Sequence, residues 1–200
     1  MVWAFDYQPA GPSFPLAEVA EGNDGELELE DPARDGGAGI VASRSFSGRR
    51  VRPESVPRVI RWLSRRPFLD FENAIRKTVS DRFRAIIEEL EPGVHQFEPI
   101  AFVAKDGSPL GRRWFWQICN RIDSVHRGKT TWVLNRVQWM PPLEPGAEEP
   151  RLVFDLARIG SARFWNDKHS SSSNFMSDDA KSRLEAEKIT GLRFRHYEQA

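Results

Sequence analysis

The segment from Gln96 to Ile122, QFEPIAFVAKDGSPLGRRWFWQICNRI, constrains the fold more than any other stretch of the chain. Asp106-Gly107 is a turn pair that tolerates positive φ, and apolar residues alternate on both sides of it. The segment therefore predicts two strands of a hairpin. In the second strand a period of two places Trp114, Trp116 and Ile118 on one face and Phe115 and Cys119 on the other. Strands favour aromatics for packing, so this run is read as core filling, with Cys119 as a buried, inert thiol. The alternative use of RRWFWQ is a stacking platform for single-stranded nucleic acid, flanked by arginines.

Other elements follow from periodicity. TTWVLNRVQWM and RLVFDL predict further strands separated by the loop PPLEPGAEEP, and RFWNDKHSSSSNF predicts a polar loop. Phe83, Ile86, Ile87 and Leu90 form an apolar stripe that predicts a helix over about Asp81–Leu90, ended by Pro92-Gly93. ESVPRVIRWLSRR predicts a second amphipathic helix. Val56, Val59, Ile60 and Leu63 fall at i, i+3, i+4 and i+7, with Arg58, Arg61 and Arg65 on the other side. Ser55 is its expected cap, Pro57 fits its first turn, and Pro67 stops it. Segregated helices and hairpin-linked strands without regular βαβ alternation give an α+β fold, a mostly antiparallel sheet with a few helices packed on it.

Breakers concentrate early: residues 8–53 hold five Pro and seven Gly, together with the acidic run EGNDGELELEDPARDGGAG. Residues 1–53 are therefore expected to form an acidic arm or long loops, with one short strand at ELELE, and residues 54–200 a single α+β domain. Charge follows the same division. Residues 1–42 hold nine acids and one base, and residues 43–84 hold twelve bases and four acids, although the whole chain is neutral. The simplest expectation is that the two segments fold back and compensate each other. The alternative is a positive patch for nucleic acid over residues 44–66, using Arg49, Arg50, Arg52, Arg58, Arg61, Arg65 and Arg66.

Several classes are disfavoured. No apolar run approaches the roughly 18 residues of a spanning helix, so no membrane partner is expected, and the start lacks a basic region followed by an apolar stretch, so no signal peptide is expected. A single cysteine, Cys119, excludes an internal disulfide and a cysteine-cluster zinc site, and fits the cytoplasm. His95, His126, His169 and His196 are dispersed, with no metal-ligand spacing, so neither metal nor cofactor is expected. DGGAG lacks the Gly-Lys-Ser/Thr of a phosphate loop, and GSPLGRR reads as a hairpin turn.

Ser-Asp occurs twice before a helical pattern, at Ser80-Asp81 and Ser177-Asp178. A serine there accepts an orphan backbone N–H, and an aspartate in the first turn is favoured by the helix dipole. Neither serine stands in a nucleophile motif such as Gly-x-Ser-x-Gly. Both are read as caps of helices that lead through a glycine turn into a strand. WNDKHSSSS is read as a surface loop, and its Trp165, Asp167, Lys168 and His169 are candidate partner contacts, as are Arg58, Arg61 and Arg65.

From about residue 67 the order of elements resembles a known family. PFLDF precedes the Ser-Asp-Arg-Phe helix, then come GVHQFEPI, WFWQICNRIDSV, LVFDLARIGSARFWNDK and FMSDDAKSRLEAEKITGLRF. The pattern is similar to the bacterial polymorphic-toxin immunity family known as immunity family eleven, over roughly residues 67–198. Its most specific part is Phe154-Asp155-Leu156, Ile159-Gly160, Trp165, Ser177-Asp178 and Gly191-Leu192-Arg193-Phe194. The resemblance implies a non-enzymatic protein that binds a cognate toxin, encoded by a neighbouring gene, and blocks it. It carries over no catalytic residues.

Overall fold

The computed structural model describes residues 1–11, 14–32, 44–135, 138–142, 149–170 and 173–200. In chain order the first strands are β1 (Val2–Tyr7), β2 (Ala17–Gly22), β3 (Pro57–Trp62), β4 (Phe71–Asn73) and β5 (Lys77–Val79). Helix α1 (Asp81–Leu90) leads to β6 (Gln96–Val103), β7 (Pro109–Gln117), β8 (Arg121–Ile122), β9 (Val133–Asn135), β10 (Gln138–Met140) and β11 (Val153–Phe154). The chain closes with α2 (Leu156–Ile159), β12 (Phe164–Asp167), β13 (Asn174–Ser177), α3 (Asp178–Ala186) and β14 (Leu192–Gln199).

The strands build two six-stranded sheets, ordered β11-β14-β1-β13-β12-β8 and β2-β3-β6-β7-β5-β4, beside the small hairpin β9–β10. Most neighbours are antiparallel. The parallel pairs are β11 with β14, β12 with β8, and β3 with β6. The fold is thus α+β in the broad sense, with few helices. No helix among the described residues is long and apolar enough to cross a membrane.

The hairpin β6–β7 explains how the two sheets share a core. Gly107 has φ +86° at the turn, as the Asp-Gly pair requires. Alternation then sends Trp116 and Ile118 into a central cluster and Phe115 into a second one behind the sheet. The central cluster joins Phe5 and Tyr7 of β1, Phe71 of β4, Val79 of β5, Phe164 of β12 and Met176 of β13. Trp116 is its hub: its ring stacks on Phe5 at 5.8 Å and meets Phe83 and Phe164 edge-on at 5.4 and 5.5 Å. Burying such rings contributes about 2–3 kcal/mol each before packing gains.

Helices α1 and α3 cover this cluster with Phe83, Ile86 and Ile87, and with Ala180 and Leu184. Both begin as their sequences require. The Ser80 hydroxyl accepts from Phe83 N, and Ser177 from Ala180 N, each at 3.2 Å. Each helix then turns through a left-handed glycine, Gly93 at φ +70° and Gly191 at φ +91°, into β6 and β14 respectively. At Gly191 a side chain would also collide, because a Cβ there would lie 2.2 Å from Phe71 O.

Several expectations are corrected. The predicted helix over ESVPRVIRWLSRR is strand β3, preceded by a tight turn in which the Ser55 hydroxyl donates to Arg52 O at 2.7 Å. Val56, Val59 and Ile60 are β-branched, which favours a strand, and β2 and β6 supply both edges of the ladder. Trp62 is buried and Leu63 exposed, the reverse of what the helical stripe requires. RFWNDKHSSSSNF is not one continuous loop: Phe164–Asp167 form β12 and Asn174 and Phe175 begin β13, and the buried polar side chains of these strands find partners inside the fold.

The acidic arm is corrected in part. β1 lies in the middle of the first sheet, between β13 and β14, and β2 pairs with β3. Leu27 and Leu29 are buried in the second cluster, and ELELE keeps a single bridge, Leu29 to Val51. The glycine cluster DGGAG and the centre of PPLEPGAEEP lie outside the described residues.

Candidate functional site

The arginine-rich segment is met by the acidic one. In the β2–β3 ladder Glu18 pairs with Arg61, and Glu21 with Arg58 at 2.7 Å; just beyond it Glu28 lies 3.6 Å from Arg52. Exposed pairs of this kind add little stability, about 0–1 kcal/mol each. Their consequence is electrostatic: Arg52, Arg58 and Arg61 are each met by a carboxylate where they lie. Arg66 is held more firmly, by two hydrogen bonds of 2.8 and 2.9 Å to Glu72 and by the Tyr7 hydroxyl. Burial, followed by the Glu72 carboxylate, pushes that hydroxyl above the ordinary tyrosine range. Arg50 donates to the carbonyls of Gly93 and Val94, and buried Arg49 to that of Asp31. Arg65 is exposed. A phosphate-tracking surface needs guanidiniums free to release counterions, and most of this set is committed internally.

The cluster around residue 165 lies inside the fold. Trp165 stacks on Phe175 at 6.0 Å and has no exposed surface. Asp167 and Ser124 are equally buried. Asp167 accepts from Ser124 N at 2.8 Å, from the Ser124 hydroxyl at 2.7 Å and from His169 N at 2.8 Å. Burial pushes its carboxyl above the usual carboxylate range. The Ser124 hydroxyl also accepts from Trp165 Nε1 at 3.2 Å. A serine nucleophile needs a base on its proton and access to substrate. Here the proton points at a buried carboxylate, and the group ties β12 to the chain after β8. Lys168 and His169 are half-buried, with His169 Nε2 3.9 Å from Asp123.

Two further polar networks join the sheets, and neither has a local sequence signal. Glu91, at the end of α1, accepts from His95 Nε2 at 2.8 Å, Asn120 Nδ2 at 2.9 Å, and the backbone N–H groups of Arg163 and Phe164 at 3.0 and 2.9 Å. Burial pushes its carboxyl up, but these hydrogen bonds outweigh that and hold it below the usual range. His95 Nδ1 accepts from Cys119 N at 3.1 Å, which puts the ring proton on Nε2. Lys77, wholly buried on β5, donates to Ser45 O and to Asn174 Oδ1 at 3.0 Å, with the Phe46 ring 4.6 Å away. Burial lowers its ammonium to about 7.

Cys119 is half-buried on the wall of a polar cleft of about 410 Å³, beside Arg49, Arg50, Asn120 and Arg121. Burial raises its thiol to about 11, so it is protonated and unreactive at neutral pH. Among the described residues, no group of three or more His, Cys, Asp or Glu is placed to hold a metal ion. Of the aromatic strand, Trp116 and Phe115 are core, whereas Trp114 is half-buried, with Arg84 and Arg112 at 3.8 and 4.5 Å from its ring. Its Nε1 donates to Asp81 at 2.6 Å, which fastens α1 to the hairpin.

These groups are structural, buried polar side chains that join one element to another. A family model places the chain more closely. It matches residues 47–199, and the chain belongs to the immunity protein family Imm11. No curated protein matches the chain. The match begins about twenty residues earlier than the resemblance read from the sequence and takes in β3. Strands β1 and β2 lie outside it, although β1 occupies the centre of a sheet.

Proposed function

We propose that this chain neutralises a cognate bacterial toxin by binding it directly, with no chemistry of its own. The observation that carries the proposal is the family match over residues 47–199. The inward-facing polar networks support it, since Ser124, Asp167, His95 and Glu91 are all engaged in holding the fold. The toxin is expected from a neighbouring gene, and the encounter in the cytoplasm. Among the contact residues read from the sequence, Arg58, Arg61, Arg65, Lys168 and His169 retain surface and stay within this proposal; Trp165 and Asp167 have none to offer. Co-expression with the product of each adjacent gene, followed by purification of the complex, tests the reading. A stoichiometric complex that also restores growth supports it, and the absence of any complex with an adjacent product counts against it.

A further inference from the structure

Strand β14 pairs with β1 along Leu192–Tyr197, but on its far side β11 meets only Glu198 and Gln199. The hydrogen bonds identify the groups left over. Gln8 N donates to Gly191 O at 2.9 Å, so Gly191 turns its polar backbone towards β1. By the two-residue period of an antiparallel ladder, Arg193, Arg195 and Tyr197 do the same. Leu192, Phe194 and His196 turn theirs to the opposite side, the side on which Ala200 N reaches Phe154 O at 2.8 Å. Just ahead of β11, Arg151 turns from this edge to exchange hydrogen bonds of 2.7 and 2.9 Å with Thr131. Among the described residues nothing pairs with the backbone of Leu192, Phe194 or His196.

Unpaired edges attract extended chains, and the flanking charges select among them. Arg193 and Arg195 are both exposed on the same face of β14. Arg193 lies 3.4 Å from Asp6, while Arg195 lies 4.8 Å from the Tyr197 ring and has no carboxylate partner among the described residues. A second copy paired antiparallel about Phe194 would set Arg193 of each copy against Arg195 of the other. Like charges directly opposite one another destabilise such a pair. An extended segment carrying carboxylates on alternate residues meets both demands, backbone to the ladder and acids to the arginines. We propose that the open edge of β14, from Leu192 to His196, receives an extended acidic segment of the toxin as an added strand. This rests on the immunity reading above; the competing role for the arginines is to keep the edge unpaired.

The test begins with a probe that needs no toxin, a short peptide of alternating glutamate and valine, with a lysine–valine peptide as control. Titration with the acidic peptide should slow amide exchange at Leu192, Phe194 and His196, and the control should not. His196→Pro removes an outward N–H without touching the β1–β14 ladder and should weaken binding roughly tenfold, the upper range for one hydrogen bond. His196→Ala should bind like the wild type, and Arg195→Glu should bind weakly while keeping the wild-type unfolding midpoint. Absence of binding, binding that leaves the three amides exchanging, or unimpaired binding by both His196→Pro and Arg195→Glu overturns the proposal. In the toxin complex the same three amides should be protected. A complex that forms and leaves them exchanging overturns the edge while immunity by binding stands.

Discussion

Lys77 gives the sharpest check on how the two sheets are joined. It is a lysine with no carboxylate in hydrogen-bond contact among the described residues, buried between β5 and β13, its ammonium lowered by burial from 10.5 to about 7. The unfolded chain therefore binds more protons than the folded one between about pH 7 and 10.5, and stability must rise with pH across that window. The ceiling on the slope is about 1.4 kcal/mol per pH unit, the value for one proton bound in one state and not the other. Below pH 7 both states are protonated and the cost is constant. Lys77→Met keeps the stem and removes the titration, but it takes one donor from Ser45 O and one from Asn174 Oδ1, which keeps Asn166 Nδ2 at 3.1 Å, at about 0.5–1.5 kcal/mol for each hydrogen bond. The absolute stability of the variant thus mixes opposing effects of similar size, whereas the slope isolates one. Urea unfolding of wild type and variant at half-unit steps from pH 6.5 to 9.5, fitted with a common m-value, measures that slope. The wild type should gain stability relative to Lys77→Met as pH rises. Parallel pH profiles would refute the argument and show that Lys77 is charged in both states across the window.

Three other outcomes are expected. Ser80→Ala and Ser177→Ala should each cost about 1 kcal/mol in chemical denaturation, with partner affinity of the folded protein unchanged. Gly191→Ala should cost at least about 1–3 kcal/mol from its positive φ alone, and more from the collision with Phe71 O, read as a fall in the thermal midpoint or loss of soluble protein. Asp70 accepts from Arg82, Ser80 and Thr190; burial opposes its ionisation, and these bonds outweigh burial and lower its carboxyl from 3.8 to about 2. Its contribution, about 2 kcal/mol, is present above pH 3.8 and lost as pH falls through 2, so Asp70→Asn should flatten the acid-unfolding curve over that interval.

What was legible in the sequence was local. α1, the β6–β7 hairpin and both serine caps depend on residues within a few positions of one another, and a period or a turn pair reveals them. β3 mimics a helix because Val56, Val59, Ile60 and Leu63 satisfy a helical period by spacing, and the partner strands that decide the matter begin at Ala17 and Gln96. β12 is hidden because Asn166 and Asp167 look like loop residues until Ser124, Asn120 and Ser173 are brought to them as hydrogen-bond partners. β1 has no local signal for the same reason: both its neighbours come from the last thirty residues of the chain. Of the Glu91 network only the His95 pair, four residues on, is local; Asn120, Arg163 and Phe164, and the Ser45 and Asn174 partners of Lys77, come from distant segments.

The residues that carry the resemblance are mostly buried or fixed by a cap or a turn. Phe154 and Trp165 have no exposed surface, Asp155 caps α2 through Ala157 N at 3.0 Å, Ser177 caps α3, and Gly191 fits where no side chain can. Such positions specify the fold, and under the proposed immunity function a fold by itself would distinguish no toxin from another. Discrimination then falls to exposed side chains, whose exchange costs little stability because surface substitutions are usually within about 0.5 kcal/mol. The open edge of β14 combines the two requirements. Its ladder groups are backbone, available whatever the side chains, while Arg193 and Arg195 set the charge of the strand that can join it. Replacing both arginines with glutamate should therefore leave the fold intact and reverse the preference from the glutamate–valine to the lysine–valine peptide, a change of partner that mere loss of an edge-protecting charge would not produce.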